Sequence, residues 1–163
     1  MRTDALTHER LIERIHYDPE TGAFTRRPPF HNRKIGRIDR DGYTSIAIDR
    51  VIHLAHRLAW FYMTGTPLPP GYTIDHINLV RSDNRWANLR NATRSQNAWN
   101  MGRRNNFSGV KGVDFHRPTG KWRSRCKVHG RRYTIGYFAD LELADHCLRE
   151  FRLKHHGDFA NNG

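Results

Sequence analysis

Asp75, His76, Asn88 and Asn97 are the residues of this chain whose types and spacing could do chemistry. Asn88 follows His76 by 12 positions and Asn97 follows it by 21. A hard divalent cation needs oxygen ligands, and Asp and Asn supply them. Hydrolysing a phosphodiester also needs a base to activate water, and His titrates near neutral pH. One short segment, Ile74 to Asn100, therefore holds the parts for metal-assisted phosphodiester cleavage.

The surrounding pattern predicts how these residues are positioned. Tyr72 to Ile77 reads as a short strand carrying Asp75 and His76. A polar loop follows, with a helix start over Asn84 to Leu89. Thr93 to Met101 reads as a helix, with Thr93 and Gln96 forming a capping box. A strand, a loop and a helix in this order can bring Asp75 and Asn97 to one cation.

Upstream, residues 7–16 read as a helix capped by Thr7, and Tyr17 to Gly22 as a turn. Ala23 to Thr25 begins a strand, and Arg26 to Arg40 is a basic loop. Tyr43 to Ile48 and Val51 to Leu54 form a hairpin. Ala55 to Met63 is an amphipathic helix, stopped by Gly65, Pro67, Pro69, Pro70 and Gly71. His56 on that helix is expected to be packed, with support of the site as its other role. Trp86 and Trp99 are expected to be core anchors.

The chain has 163 residues and a formal net charge of +12. That balance favours an anionic polymer as partner. The charge is focused: residues 103–132 hold ten Lys or Arg and one acid, Asp114. Two cysteines, Cys126 and Cys147, are too few for a disulfide framework or a cysteine zinc site, so no structural zinc is expected. Residues 1–10 show no secretory h-region and no apolar run approaches a membrane span. The expected protein is soluble, intracellular and monomeric, without an obligate protein partner.

Beyond a linker over 102–109 the pattern changes. Val110 to His116, Trp122 to Val128 and Tyr133 to Phe138 read as three strands, and Leu141 to His155 as a helix with Leu141, Ala144, Leu148, Phe151 and Leu153 apolar at helical spacing. Period two sends Trp122, Ser124, Cys126 and Val128 to one face and Arg123, Arg125 and Lys127 to the other. In the third strand Tyr133, Ile135 and Tyr137 are expected inward, with Arg132 and Thr134 outward. Like charges side by side cost stability, and a polyanion that neutralises them explains their presence.

Two resemblances follow from these residues. Residues 55–100 resemble the phage and intron HNH endonucleases through His56-Arg57-Leu58, Ile74-Asp75-His76, Asp83-Asn84, Asn88-Leu89-Arg90 and Asn97. Residues 108–160 resemble an AP2-type DNA-binding domain through Ser108 to Val113, Gly120-Lys121-Trp122, Gly136-Tyr137-Phe138 and His156-Gly157. The order of the two is that of phage homing-type endonucleases. The resemblance implies an α+β chain: a ββα-metal nuclease unit over 55–101, preceded by a helix-and-hairpin region over 1–54. A three-stranded antiparallel sheet packed on one helix follows over 110–160.

The same resemblance implies roles. His76 is the general base, Asp75 and Asn97 bind a divalent cation, magnesium or else manganese, and Asn88 orients the His76 imidazole through a carbonyl. Arg123, Arg125, Lys127 and Arg132 face double-stranded DNA, with Lys111, His116 and Arg117 beside them. The implied setting is the cytoplasm of a bacterial host. At Leu79-Val80 the chain departs from the family pattern, which has Gly and a polar residue in that turn. The leading expectation is a metal-dependent DNA endonuclease that nicks duplex DNA. The alternative is a DNA-binding regulator that keeps an inactive nuclease fold.

Overall fold

In a computed structural model, residues 6–28, 33–102 and 107–163 are described. They divide into two compact units, residues 1–92 and 93–163. His31, part of the expected basic loop and part of the expected linker lie outside the described residues.

The first unit opens with α1 (His8–Arg14), whose N-terminus is capped by Thr7 accepting from Arg10 N. Strands β1 (Ile15–Tyr17), β2 (Phe24–Arg26) and β3 (Lys34–Ile35) form one antiparallel sheet. Strands β4 (Arg37–Ile38), β5 (Thr44–Ile48) and β6 (Val51–Leu54) form a second. The basic stretch 26–40 is thus partly strand, not loop. Its few apolar positions, Ile35 and Ile38, alternate with cations, and pairing to β2 and β5 settles the short runs where propensity does not.

Helix α2 (Ala55–Thr64) ends at Gly65, which adopts the left-handed conformation and donates its N–H to Phe61 O. Strands β7 (Tyr72–His76) and β8 (Leu89–Thr93) pair, and α3 (Arg94–Asn100) follows β8 directly. The expected helix start at 84–89 is corrected: only Trp86–Asn88 forms a 3-10 turn, and β8 begins at Leu89. The capping box of α3 forms as expected, Thr93 accepting from Gln96 N and Gln96 Oε1 from Thr93 N.

One core joins the elements of the first unit. Leu11, Ile15, Tyr17, Phe24, Ile46 and Ile48 bury against Leu58, Ile74 and Leu89. The N-terminal region therefore supplies much of the apolar wall on which α2, β7 and β8 rest. A fully buried aliphatic or aromatic side chain contributes roughly 1.5–3 kcal/mol, so this wall is not dispensable.

The second unit holds α3, then β9 (Val113–His116), β10 (Lys121–Val128) and β11 (Arg131–Phe138), antiparallel in the order β11-β10-β9, and α4 (Leu141–His156). Val113, Cys126, Val128, Ala144 and Leu148 form its core. Leu153 is exposed, whereas Arg152 is buried. A β-bulge between Ser124 and Arg125 shifts the register of β11. Tyr133 stands opposite Cys126 and meets Phe151 of α4, but Tyr137 stands opposite Arg123. Tyr137 is thus on the charged face, not the inner one. An extra residue reverses which way the following side chains point.

Candidate active site

Strand β7 ends in Asp75 and His76, both buried. The Asp75 carboxylate accepts from Arg90 Nε at 2.8 Å, and Arg90 comes from the paired strand β8. The His76 ring packs edge-on to His56 of α2, with centroids 5.1 Å apart. Tyr43, just before β5, contacts both imidazoles, at 5.2 Å from His56 and 6.0 Å from His76. The Arg81 guanidinium lies over the outer side of the Tyr43 ring at 4.9 Å.

The loop between β7 and β8 is built by its own amides. Asn88 Oδ1 accepts from Asn78 N, and Asn88 Nδ2 donates to Asp83 O. The Asn88 side chain therefore ties the loop together rather than bonding the His76 ring. Asn84 is the carboxamide that bears on His76. The N-terminal turn clamps this loop from behind. Tyr17 Oη donates to Asn84 O, Trp86 N donates to Pro19 O, and Arg81 Nη1 donates to Asp41 O. Gly22 meets the backbone of residues 84–85 so closely that a Cβ would lie 2.5 Å from Arg85 N. Tyr17, Pro19, Gly22 and Asp41 thus hold the loop after His76 in place.

Leu79 sits in this loop at φ 65°, in the left-handed region, and donates its N–H to His76 O. Leucine is strained there, whereas glycine is not. The family pattern with Gly in this turn has its physical reason here. Leu79→Gly is expected to stabilise the fold by about 1 kcal/mol, less the entropy of the freer chain. A urea midpoint unchanged or lowered relative to the parent chain would contradict this.

Burial lowers the His76 pKa, and the neighbouring Asn84 side chain and Asp75 work against that shift. The ring is therefore neutral at neutral pH, the form that accepts a proton. His56 is depressed further, to about 3, by burial first and by the charges of His76 and Arg57 next. Its Nδ1 has no hydrogen-bond partner. The unfolded chain protonates His56 below about pH 6.5, but the folded chain does so only near pH 3. Stability present above pH 6.5 is lost as pH falls through that window. The loss reaches at most about 5 kcal/mol. His56→Gln should flatten the urea midpoint between pH 7 and pH 4; an equally steep fall in this variant would remove His56 as its source.

In the second unit, Asn97 lies half-buried on α3. The outer face of the sheet carries Asp114 and His116 from β9, Arg123, Arg125 and Lys127 from β10, and Arg132 and Tyr137 from β11. Arg123 and Arg125 both bind Asp114, at 2.7 and 2.8 Å. His116 Nδ1 pairs with Thr119 Oγ1, and its ring packs on Tyr137. Arg117 is exposed in the turn after β9. Lys127 and Arg132 stand opposite one another, both exposed. Lys111 is a correction. Its Nζ donates to Trp99 O, Met101 O and Asn161 O, which uses all three donors on the fold. Burial pushes its pKa down to about 8. Trp99 is half-buried and stacks flat on the buried His156 ring at 4.3 Å.

The model of the HNH endonuclease family matches residues 53–99, the span from β6 through α2, β7 and β8 to α3. Protein 3.8 of Escherichia phage T7 is 33% identical over 106 residues, which cover 64% of this chain and 86% of that protein. The chain belongs to the family of phage Protein 3.8 and carries an HNH endonuclease domain. No solved structure matches the chain. The HNH domain includes Asp75, His76, Asn88 and Asn97.

HNH nucleases generally use a divalent metal. The donor chemistry of this chain fits one. Asp75 in the first unit offers a hard carboxylate oxygen, and among the described residues no group of three or more His, Cys, Asp or Glu is arranged for a metal. Magnesium is commonly bound through one or two carboxylates plus water and phosphate. Also among the described residues, no helix is long and apolar enough to cross a membrane.

Four residues around the site stand outside the expected catalytic set: Arg90 on Asp75, Asn84 and His56 on His76, and Tyr43 on both imidazoles. His56, Asn84 and Arg90 all lie inside the motifs that carry the HNH resemblance, so the sequence holds a signal for them. Nothing in the sequence near Tyr43 marks it, because its partners lie 13 and 33 positions away.

Proposed function

We propose that the protein is a metal-dependent endonuclease that nicks duplex DNA. The observation that carries this reading is the Asp75–His76 pair at the end of β7. The carboxylate is held by Arg90, and the buried imidazole is kept neutral. Asp75 would hold the cation, magnesium or manganese, through its carboxylate. When bound, the cation polarises the scissile phosphate and offsets charge on the leaving oxygen. His76 takes the proton of the attacking water, whose oxygen forms the new bond to phosphorus as the bond to the leaving oxygen breaks. Asn84 and His56 hold the ring in position, and Asn88 holds the loop beneath it. Arg90 orients Asp75.

The C-terminal sheet, read as AP2-like, docks the nuclease on DNA through its outer face. Support comes from its charge and register: Lys127 and Arg132 are adjacent like charges that a polyanion relieves. Arg123 and Arg125 project beside them, with Asp114 fixing their direction, and Arg117 and His116 lie at the edge. One active site cuts one strand at a time, so a monomer nicks first. The test is supercoiled plasmid incubated with the purified full chain and magnesium, manganese or chelator. Open-circle product that needs metal supports the reading. Binding without cleavage under either metal would make the protein a DNA-binding regulator instead.

A further inference from the structure

The turn that follows Asp75 and His76 presents three apolar side chains to solvent. Ile77, Leu79 and Val80 are 44%, 42% and 50% exposed. Leu79 is also strained, at φ 65°. Strain and exposed apolar surface kept together beside a reacting group point to a use.

The turn is stiff. Leu79 N bonds back to His76 O at 3.0 Å, Val80 N to Asn78 Oδ1 at 2.9 Å, and Asn78 Nδ2 to Asp83 Oδ2 at 2.7 Å. Leu79 and Val80 are therefore carried at a fixed position relative to His76. Beside them, Arg81 Nη1 is held by Asp41 O and the guanidinium lies over the Tyr43 ring. Arg81 is exposed, and the charge of Asp83 is met by Arg85 at 2.6 Å. Three partly exposed side chains fall far short of the roughly 800 Å² per partner that a stable protein interface covers. An apolar tip beside an exposed arginine suits duplex DNA, whose stacked bases are apolar and whose backbone is anionic.

We propose that Leu79 and Val80 form a wedge that enters the minor groove of the DNA and unstacks a base step beside the scissile phosphate, with Arg81 on a neighbouring phosphate. The inference rests on the nuclease reading above. A phosphate within reach of His76 brings the duplex over residues 77–81, because the chain folds back onto the His76 carbonyl. Side chains of this kind kink DNA by parting its steps, and a parted step exposes the phosphodiester to attack.

The experiment uses the full chain with His76→Ala and duplexes bearing 2-aminopurine at successive positions. The duplexes span the mapped nick, or any sequence the protein binds if no nick is found. Binding should raise fluorescence several-fold at one step, and Leu79→Gly/Val80→Ser in the same background should abolish the rise. In the active chain this pair should slow nicking of intact duplex at least about tenfold. A substrate already unstacked by a mismatch at that step should be cut at the parent rate. Val80→Ser alone leaves the backbone of residue 79 untouched and repeats the test without a change in turn geometry.

Equal fluorescence and equal nicking by parent and variant would overturn the wedge. So would light scattering that finds a dimer for the parent and a monomer for the variant, or unstacking seen only with duplex RNA. Absence of metal-dependent nicking in the parent chain sinks the nuclease reading instead, and the fluorescence arm, which needs no cleavage, still reads the wedge.

Discussion

His76→Ala is expected to lower metal-dependent nicking by about 10²–10⁴-fold, the range for losing a general base, while DNA affinity stays within about twofold because the ring is buried and makes little of the protein surface. The reasoning runs through the neutral imidazole. Burial lowers its pKa, so at neutral pH the ring accepts a proton from water without first losing one. Removing it leaves the cation and the docking surface in place, and a residual rate from these alone. The variant should fold, since alanine in this position removes a ring from the His56 and Tyr43 contacts without leaving a charge unpaired. The measurement is single-turnover nicking of supercoiled plasmid, with binding followed separately by fluorescence anisotropy. Nicking at the parent rate would mean that another group activates the water. Loss of nicking together with loss of binding would mean that the loop had collapsed.

Lys127→Ala/Arg132→Ala should weaken DNA binding and flatten its salt dependence. Each phosphate contact adds roughly 0.9 to the slope of log affinity against log salt, so the pair should reduce the slope by roughly 2. These two side chains face each other across β10 and β11 and are exposed, so they are available to phosphates. Arg123 and Arg125 differ because Asp114 already neutralises part of their charge. Asp114→Asn should accordingly raise affinity, since it removes an anion from the same face. Lys111→Ala should change thermal stability and leave the salt slope alone, because its ammonium is spent on three carbonyls. An unchanged slope in the Lys127/Arg132 variant would move the docking surface elsewhere, to the basic strands of the first unit in the first instance.

Local pattern made much of this legible. The Thr93–Gln96 capping box, the Thr7 cap, the hairpin of β5 and β6, and the three strands and helix of the second unit all stand where short-range chemistry puts them. These features depend on residues within a few positions of one another. Strand β8 was hidden because Leu89 to Thr93 has no clear alternation and forms only by pairing with β7. Tyr137 was misread because a bulge has no sequence mark of its own at Ser124-Arg125.

The sequence by itself determined the chemistry available: a carboxylate, an imidazole and carboxamides at HNH spacing, a basic C-terminal half, and an apolar pair where the family pattern has glycine. Those are matters of composition and order. Only the tertiary structure decided how the side chains are spent. It put His56 and Tyr43 on His76, Arg90 on Asp75, Asn88 on the loop and Lys111 on the backbone. Most of these contacts join residues at least ten positions apart. Which donor meets which acceptor across that distance is set by packing of the core, which no local spacing encodes.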